Sequence, residues 1–273
     1  MIIFVKIINL ILMNFKALFF AVITVAICSC STYDKVLKSS DNEYKYRKAL
    51  QYYQEEDYVR AGNIFDQIVN VFRGTTRSDS VCWYQAQSYY KQKDNIMGGH
   101  LFKTFAQNFP YSPFAEEAEF MSGYCYYLES PKPSLDQEST RYAIESFESF
   151  INKFPKSIHV KEAKDLTIEL KEKLVEKSKN SAILYYDMGY YSSSIIALKN
   201  SLIEFPNTKY REELMWRLLD SNYRLAINSV VSKQKDRFQT TVDEYYSFIS
   251  EFPKSDYKKD AERIYNISMK NLN

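Results

Sequence analysis

The side chains able to do chemistry are few. The 273 residues contain four cysteines, at positions 28, 30, 82 and 125, and two histidines, His100 and His159. A zinc-type centre needs Cys and His at short, paired spacings, and these residues do not have them. Serines are abundant, but no Gly-x-Ser-x-Gly elbow appears. Gly74 in Arg73-Gly74-Thr75 is an isolated glycine, not a loop that cradles phosphate. Glu55-Glu56 and Glu116-Glu117 fall where helices end or begin, where carboxylates are solvated or complement a helix dipole. No catalytic residue, metal ligand or dissociable cofactor is expected.

One residue does carry a chemical signature, Cys30. Residues 17–27, ALFFAVITVAI, are apolar and follow Lys16. Eleven apolar positions are too few to span about 30 Å of hydrocarbon as a helix. They have the length and flank of a signal-peptide core, and Met13 provides the more ordinary start for such a leader. Ile27-Cys28-Ser29-Cys30 then resembles a bacterial lipobox. Small Ser29 sits at the cleavage position, and the Cys30 thiol becomes the acyl-bearing first residue. A covalent lipid on Cys30 is the only non-protein group expected. Each buried CH₂ of an acyl chain contributes about 0.8 kcal/mol, and stable anchoring takes more than one chain.

Charge and the remaining cysteines narrow the function. Residues 1–29 hold Lys6 and Lys16 and no acid, so the chain beyond them is formally neutral, with 34 basic against 34 acidic side chains. Nucleic-acid binding would call for a basic footprint. In the repeat register described next, Cys82 and Cys125 are offset by six residues, about 9 Å along a helix. A disulfide needs Cα atoms within about 7 Å. Two free thiols are expected.

The elements that position everything else are repeats. Phe-Pro recurs at 109–110, 154–155, 205–206 and 252–253, and each marks a helix end and turn. Tyr doublets recur at 52–53, 89–90, 126–127 and 185–186, each with a small residue three before its first Tyr: Ala49, Ala86, Gly123 and Ala182. Positions i and i+3 share a helix face, so the small residue admits a neighbouring helix and the Tyr fills the space beside it. The following helices carry Ala61-Phe65-Ile68, Gly98-Phe102-Phe105 and Ala143-Phe147-Phe150, an apolar face at helical period.

Ala86, Tyr89, Gly98, Phe102 and Pro110 follow the small–Tyr–small–Phe–Pro spacing that resembles the tetratricopeptide repeat (TPR). Repeat 1 has Arg73 at the Pro position. Repeat 3 carries extra residues at Glu129–Gln137, and repeat 5 an insertion near Ser229–Lys235. The expected fold is all-α, a right-handed TPR solenoid of about five helix-pair repeats with a C-terminal capping helix. The expected organisation is a lipoprotein signal peptide at 1–29 and a lipidated tether at 30–42. Repeats 1–2 follow at 43–110, repeats 3–5 at 111–255, and the cap at 256–273. Residues 158–187 contain neither Pro nor Gly and predict one helix of up to about 30 residues.

Function is then a matter of surface. In such a stack the first Tyr of each doublet is expected to face the core, and the second turns about 100° away. Tyr53, Tyr90, Tyr127 and Tyr186, with Tyr46, Trp83 and Tyr124 nearby, either line a peptide groove or pack between repeats. The peptide fitting such a groove would be extended or turn-forming, with aromatic side chains.

The combination resembles the BamD-like family of outer-membrane assembly lipoproteins, and its Tyr and Phe richness suits a Bacteroidetes type. The features are Cys30, five TPRs, Tyr-Asp-Lys-Val-Leu-Lys-Ser at Tyr33–Ser39, Arg73-Gly74-Thr75 closing repeat 1, and the long helix at 158–187. The resemblance implies a lipid anchor in the outer membrane, on its periplasmic face. It also implies a non-catalytic scaffold that binds the POTRA domains of a BamA-type barrel protein through its C-terminal repeats and nascent outer-membrane β-barrel proteins through its N-terminal ones. Nucleic acid is not an expected partner. The repeats alone fit equally another periplasmic TPR lipoprotein scaffold, serving division, motility or peptidoglycan.

Overall fold

The computed structural model describes residues 32–273. The signal peptide and Cys30 lie outside the described residues. A short helix, α1, covers 32–37. Then come α2 (Asn42–Gln54), α3 (Tyr58–Ile68), α4 (Ser78–Lys91), α5 (Asn95–Asn108), α6 (Ala115–Leu128) and α7 (Glu138–Lys153). The chain continues through α8 (Val160–Asp187), α9 (Tyr191–Glu204), α10 (Arg211–Ile227), α11 (Val231–Glu251) and α12 (Lys258–Leu272). No strand occurs among the described residues. The fold is all-α and of the TPR kind: helix pairs α2/α3, α4/α5, α6/α7, α8/α9 and α10/α11, followed by α12.

The Phe-Pro turns terminate their helices by one repeated set of bonds. The Phe N–H donates back to the carbonyl four residues earlier, at 2.9 Å for Phe109, 2.8 Å for Phe154, 3.0 Å for Phe205 and 2.8 Å for Phe252. The Phe carbonyl then accepts from the N–H of Ser112, Ser157, Thr208 or Ser255, at 3.0–3.2 Å. Each of those hydroxyl oxygens accepts the N–H two residues on, at 3.0–3.3 Å. Pro supplies the fixed φ and ends the helix ladder. Repeat 1 makes the same turn without Pro. Phe72 donates to Ile68, Thr75 N–H donates to Phe72, and Gly74 adopts a φ of 77°. Arg73-Gly74-Thr75 is therefore a glycine version of the repeated turn, closed by Thr75 Oγ1 accepting from Arg77 N–H at 3.3 Å.

The chain divides into two compact units. The first comprises 32–129 and Glu145–Ala163, the second Ser130–Ile144 and Lys164–Asn273. This division differs from a break near 110. The extra residues of repeat 3 pack with the body of α8, where Lys173 Nζ donates to Ser130 Oγ at 3.2 Å and Lys177 Nζ to the Leu135 carbonyl at 2.5 Å.

In the first unit, α2 packs on α3, α3 on α4, α4 on α5 and α5 on α6. Ala49, Ala86 and Gly123 are buried, as are Ala61 and Gly98. Phe65, Phe102, Phe105, Phe147 and Phe150 fill the space beside them and are essentially solvent-free. Full burial of one such side chain contributes about 1.5–3 kcal/mol. Part of the stretch read as a tether joins this core. Val36 of α1 is buried against it, and Tyr33 and Leu37 pack alongside. Their i, i+3, i+4 spacing makes one apolar helix face.

In the second unit, α9 packs on α10, α10 on α11 and α11 on α12. Ala182, Leu198, Leu214 and Leu218 form one cluster. Met215, Leu219 and Phe248 form another with Ala261 and Ile264 of the terminal helix. Trp216 stacks on Tyr257 at 5.1 Å. The insertion expected in repeat 5 lengthens α11 at its N-terminal end, making it a 21-residue helix. The long helix α8 has 28 residues.

The tightest contact in the first unit tests the register. A Cβ on Gly123 would stand 2.7 Å from Phe147 Cδ1, inside any tolerable separation. Gly123→Ala is expected to lower stability by about 1–3 kcal/mol through overpacking. Urea denaturation measures it, and an unchanged midpoint would show that α6 and α7 do not pack in this register.

Candidate protein-binding surface

The Tyr doublets are fixed first by their backbones. Three of the four doublets end a helix with both carbonyls accepting bonds from the turn that follows. Glu56 and Asp57 donate to Tyr53 and Tyr52, Lys93 and Asp94 to Tyr90 and Tyr89, and Gly189 and Tyr190 to Tyr186 and Tyr185, all at 2.8–3.1 Å. The pattern is a helix C-cap that requires one residue at positive φ. Glu56, Lys93 and Gly189 take it, at 62°, 65° and 76°. In the first two turns an Asp side chain then caps the next helix, Asp57 accepting from Arg60 N–H at 3.2 Å and Asp94 from Met97 N–H at 3.1 Å.

The side chains depart from a simple inward–outward rule. Tyr52 is half-buried, edge-on to Tyr33 at 5.8 Å. Tyr89 reaches back to the preceding repeat and donates to Asp66 at 2.7 Å. Tyr185 is 43 % exposed, so in that doublet the second Tyr points inward. Tyr186 donates to the carboxylate of Asp220, which is only 4 % exposed and also bound by Arg224 Nε at 2.5 Å. The guanidinium carbons of Arg217 and Arg224 stand 5.0 and 5.7 Å from the Tyr186 ring centre. A buried carboxylate needs such partners. That need, not the turn of the helix, sets the direction of Tyr186. In sequence Asp220 and Arg224 are legible only as an i, i+4 ion pair that continues the Glu213-Arg217 pair along one charged face of α10.

The other sequence-nominated aromatics divide into two groups. Trp83 is 9 % exposed and stacks on Phe114 at 4.8 Å, so it lies in the core between α4 and α5. Tyr46 packs against Phe72 at 5.8 Å and shares a hydrogen bond with Ser80 Oγ at 3.0 Å. Tyr53 packs edge-on to Tyr84 at 5.0 Å and Tyr58 at 5.4 Å. These three side chains hold neighbouring repeats together. Tyr90, Tyr124 and Tyr127 stay half-buried on α4 and α6. Tyr124 stacks at 6.0 Å on both Phe120 and Tyr127, leaving a run of partly exposed rings on this unit. Tyr186 belongs to the other unit and is not part of that run.

Sequence reading missed a hollow of about 620 Å³ between the C-terminal end of α3, α4 and α5. Asn70, Arg73, Cys82, Gln85, Thr104 and Asn108 lie along it. Cys82 and Cys125 are both free, and burial pushes the Cys125 thiol up to about 12. Nothing in that setting favours a thiolate. His159 stacks on Phe120 at 4.5 Å and lies 3.6 Å from Glu117 and 3.5 Å from Glu162. Among the described residues no group of three or more His, Cys, Asp or Glu is placed to hold a metal ion. Among them, too, no helix is long and apolar enough to cross a membrane.

Three phenols are held neutral. Burial raises Tyr53 to about 12, with Tyr58 and Tyr84 adding to it. Burial raises Tyr89 and Tyr186 to about 12 as well, each helped by the carboxylate it donates to. In the unfolded chain these groups ionise near 10. Between about pH 10 and 12 the unfolded state therefore binds fewer protons than the folded one, and stability falls as pH rises. The contribution is fully present below pH 10. Urea midpoints from pH 9 to 12 are expected to drop across this window, and less steeply in Tyr53→Phe. An identical slope in the variant would show that Tyr53 is not desolvated.

The family described as outer membrane lipoprotein, YfiO, matches residues 38–237, from the end of α1 into α11. Among solved structures, the TPR2AB domain of yeast Sti1, in complex with pHSP90, is 9 % identical, with 84 % of this chain and 99 % of that chain covered and a TM-score of 0.37. A Podosopora anserina kinesin light chain with nearly identical TPR-like repeats is 12 % identical, with 78 % and 96 % covered and a TM-score of 0.32. No curated protein matches the sequence. The family match spans most of the described residues, from α2 through α10 and into the start of α11: the chain belongs to the YfiO family of outer membrane lipoproteins.

Proposed function

We propose that this protein is a non-catalytic scaffold of outer-membrane β-barrel assembly, tethered to the periplasmic face of the outer membrane by lipid on Cys30. The observation that carries the reading is the family match over 38–237, on a chain whose segment before the match contains the lipobox-like Ile27-Cys28-Ser29-Cys30. Helix-pair repeats favour the same role. Within each unit they present side chains from several turns side by side, which suits binding to proteins rather than turnover of small molecules. The second unit would bind a BamA-type barrel protein through its POTRA domains. The first unit would receive nascent barrel proteins, with Tyr90, Tyr124 and Tyr127 as aromatic contacts. Tyrosine suits this role, combining large apolar area with a polar tip and few rotamers to lose.

Affinity purification from detergent-solubilised outer membrane is expected to recover a POTRA-bearing barrel protein in stoichiometric amount. Recovery of division, motility or peptidoglycan-associated proteins in its place would move the function to another scaffold and leave the fold intact. Cys30→Ala is expected to release the protein from membranes with its helical content unchanged. Full retention of that variant in the outer-membrane fraction would remove the lipid anchor from the proposal.

A further inference from the structure

Two turns of the second unit invert the usual composition of a TPR turn. In the first unit the turn after α2 reads Glu55-Glu56-Asp57 and the turn after α4 reads Gln92-Lys93-Asp94. Both are polar, and each ends in an Asp that caps the next helix. The turn after α8 has the same backbone bonds but reads Met188-Gly189-Tyr190. Tyr190 occupies the cap position and makes no side-chain cap bond. The turn after α10 reads Ile227-Asn228-Ser229-Val230-Val231, and its cap residue, Val230, makes none either. These two starts have no side-chain cap bond, as is also the case for α4, α6, α10 and α12, so what sets them apart is the apolar composition of the turn. At these two turns exposed apolar side chains stand where the turns after α2 and α4 carry charged and polar ones.

The exposure is built in. Asn228 Nδ2 donates to the Arg224 carbonyl at 2.8 Å, and Gln234 Nε2 to the Ser229 carbonyl at 3.1 Å. Arg237 donates to Ser229 Oγ. The polar groups of the turn are tied inward, while Val230 and Val231 stand 64 % and 85 % exposed. Met188, Tyr190 and Ile227 are exposed beside them. The two turns adjoin, since Gly189, Tyr190, Leu225 and Asn228 border one hollow of about 360 Å³. Lys233 and Lys235 follow on the exposed first turns of α11.

We infer that this edge of the second unit touches a lipid bilayer, with Val230, Val231 and Met188 entering the acyl boundary, Tyr190 at headgroup depth, and Lys233 and Lys235 on anionic phosphates. Branched apolar tips, an amphipathic ring and flanking lysines are the composition of an interfacial contact. The long lysine stems reach the charged layer while their methylenes stay apolar. A stable protein interface uses a face of about 800 Å² on each partner, whereas these residues are protrusions on two turn tips. A bilayer accepts protrusions singly. The contact would orient the protein on the membrane rather than hold it there.

The inference rests on the lipid-anchor reading, and the test separates the two. Full-length lipidated protein carrying Val231→Trp is reconstituted in vesicles of phosphatidylethanolamine and phosphatidylglycerol, with Asn63→Trp on α3 as the comparison. Co-flotation with the vesicles reports the anchor. Brominated acyl chains report the tip, and a roughly twofold loss of the added tryptophan's emission is expected for Val231→Trp and none for Asn63→Trp. Lys233→Glu with Lys235→Glu is expected to reduce that loss without changing flotation. Flotation without selective quenching at position 231 overturns the bilayer contact and leaves the anchor standing. Shielding of that tryptophan only after outer-membrane proteins are added would overturn it in favour of a protein partner.

Discussion

The fold depends on how closely two helices can approach at the small residues. Ala49, Ala86, Gly123 and Ala182 are buried, and at Gly123 the facing Phe147 ring occupies the very space that a methyl group would need. Protein interiors are packed to crystal-like density, so a few tenths of an ångström at such a contact is felt. Each small residue therefore fixes the register of a helix pair. The large Phe side chains placed beside it supply the area removed from water. Because the pattern recurs, each repeat leaves an apolar face that only the next element can cover, and α12 ends the series with its polar back outward.

A second constraint acts through the backbone. The Phe turns and the Tyr turns close most of the helices on the carbonyls of residues that also carry aromatic side chains. A substitution in one of these pairs thus touches both packing and helix termination. The same coupling explains why Arg73-Gly74-Thr75 departs from the Phe-Pro pattern without changing the geometry. Pro fixes a negative φ in four of the turns, while Gly74 supplies a positive one in the fifth, and the Phe carbonyl is satisfied either way.

These constraints leave surface as the place where the repeats differ. The first unit keeps capped, charged turns and a run of partly exposed tyrosines. The second carries exposed apolar tips on the turns after α8 and α10, and ties Tyr186 to the buried Asp220. Units built on one repeat plan therefore present different chemistry.

The helices and their ends were legible in the sequence because they depend on local rules. Phe-Pro stops a helix wherever it occurs, and small–x–x–Tyr shares a face by period alone. The 28-residue α8 and the capping helix followed from the absence of breakers and from one apolar face. Side-chain direction was not legible. Period turns Tyr186 away from the core, yet it answers a buried carboxylate 34 residues away; Trp83, open in sequence between groove and packing, stacks on Phe114 of the next turn. The stretch at 32–37 read as tether until Val36 found a core to enter. Which aromatic is exposed, and which turn presents valines outward, depends on partners distant in sequence. Only the assembled packing brings those partners into contact.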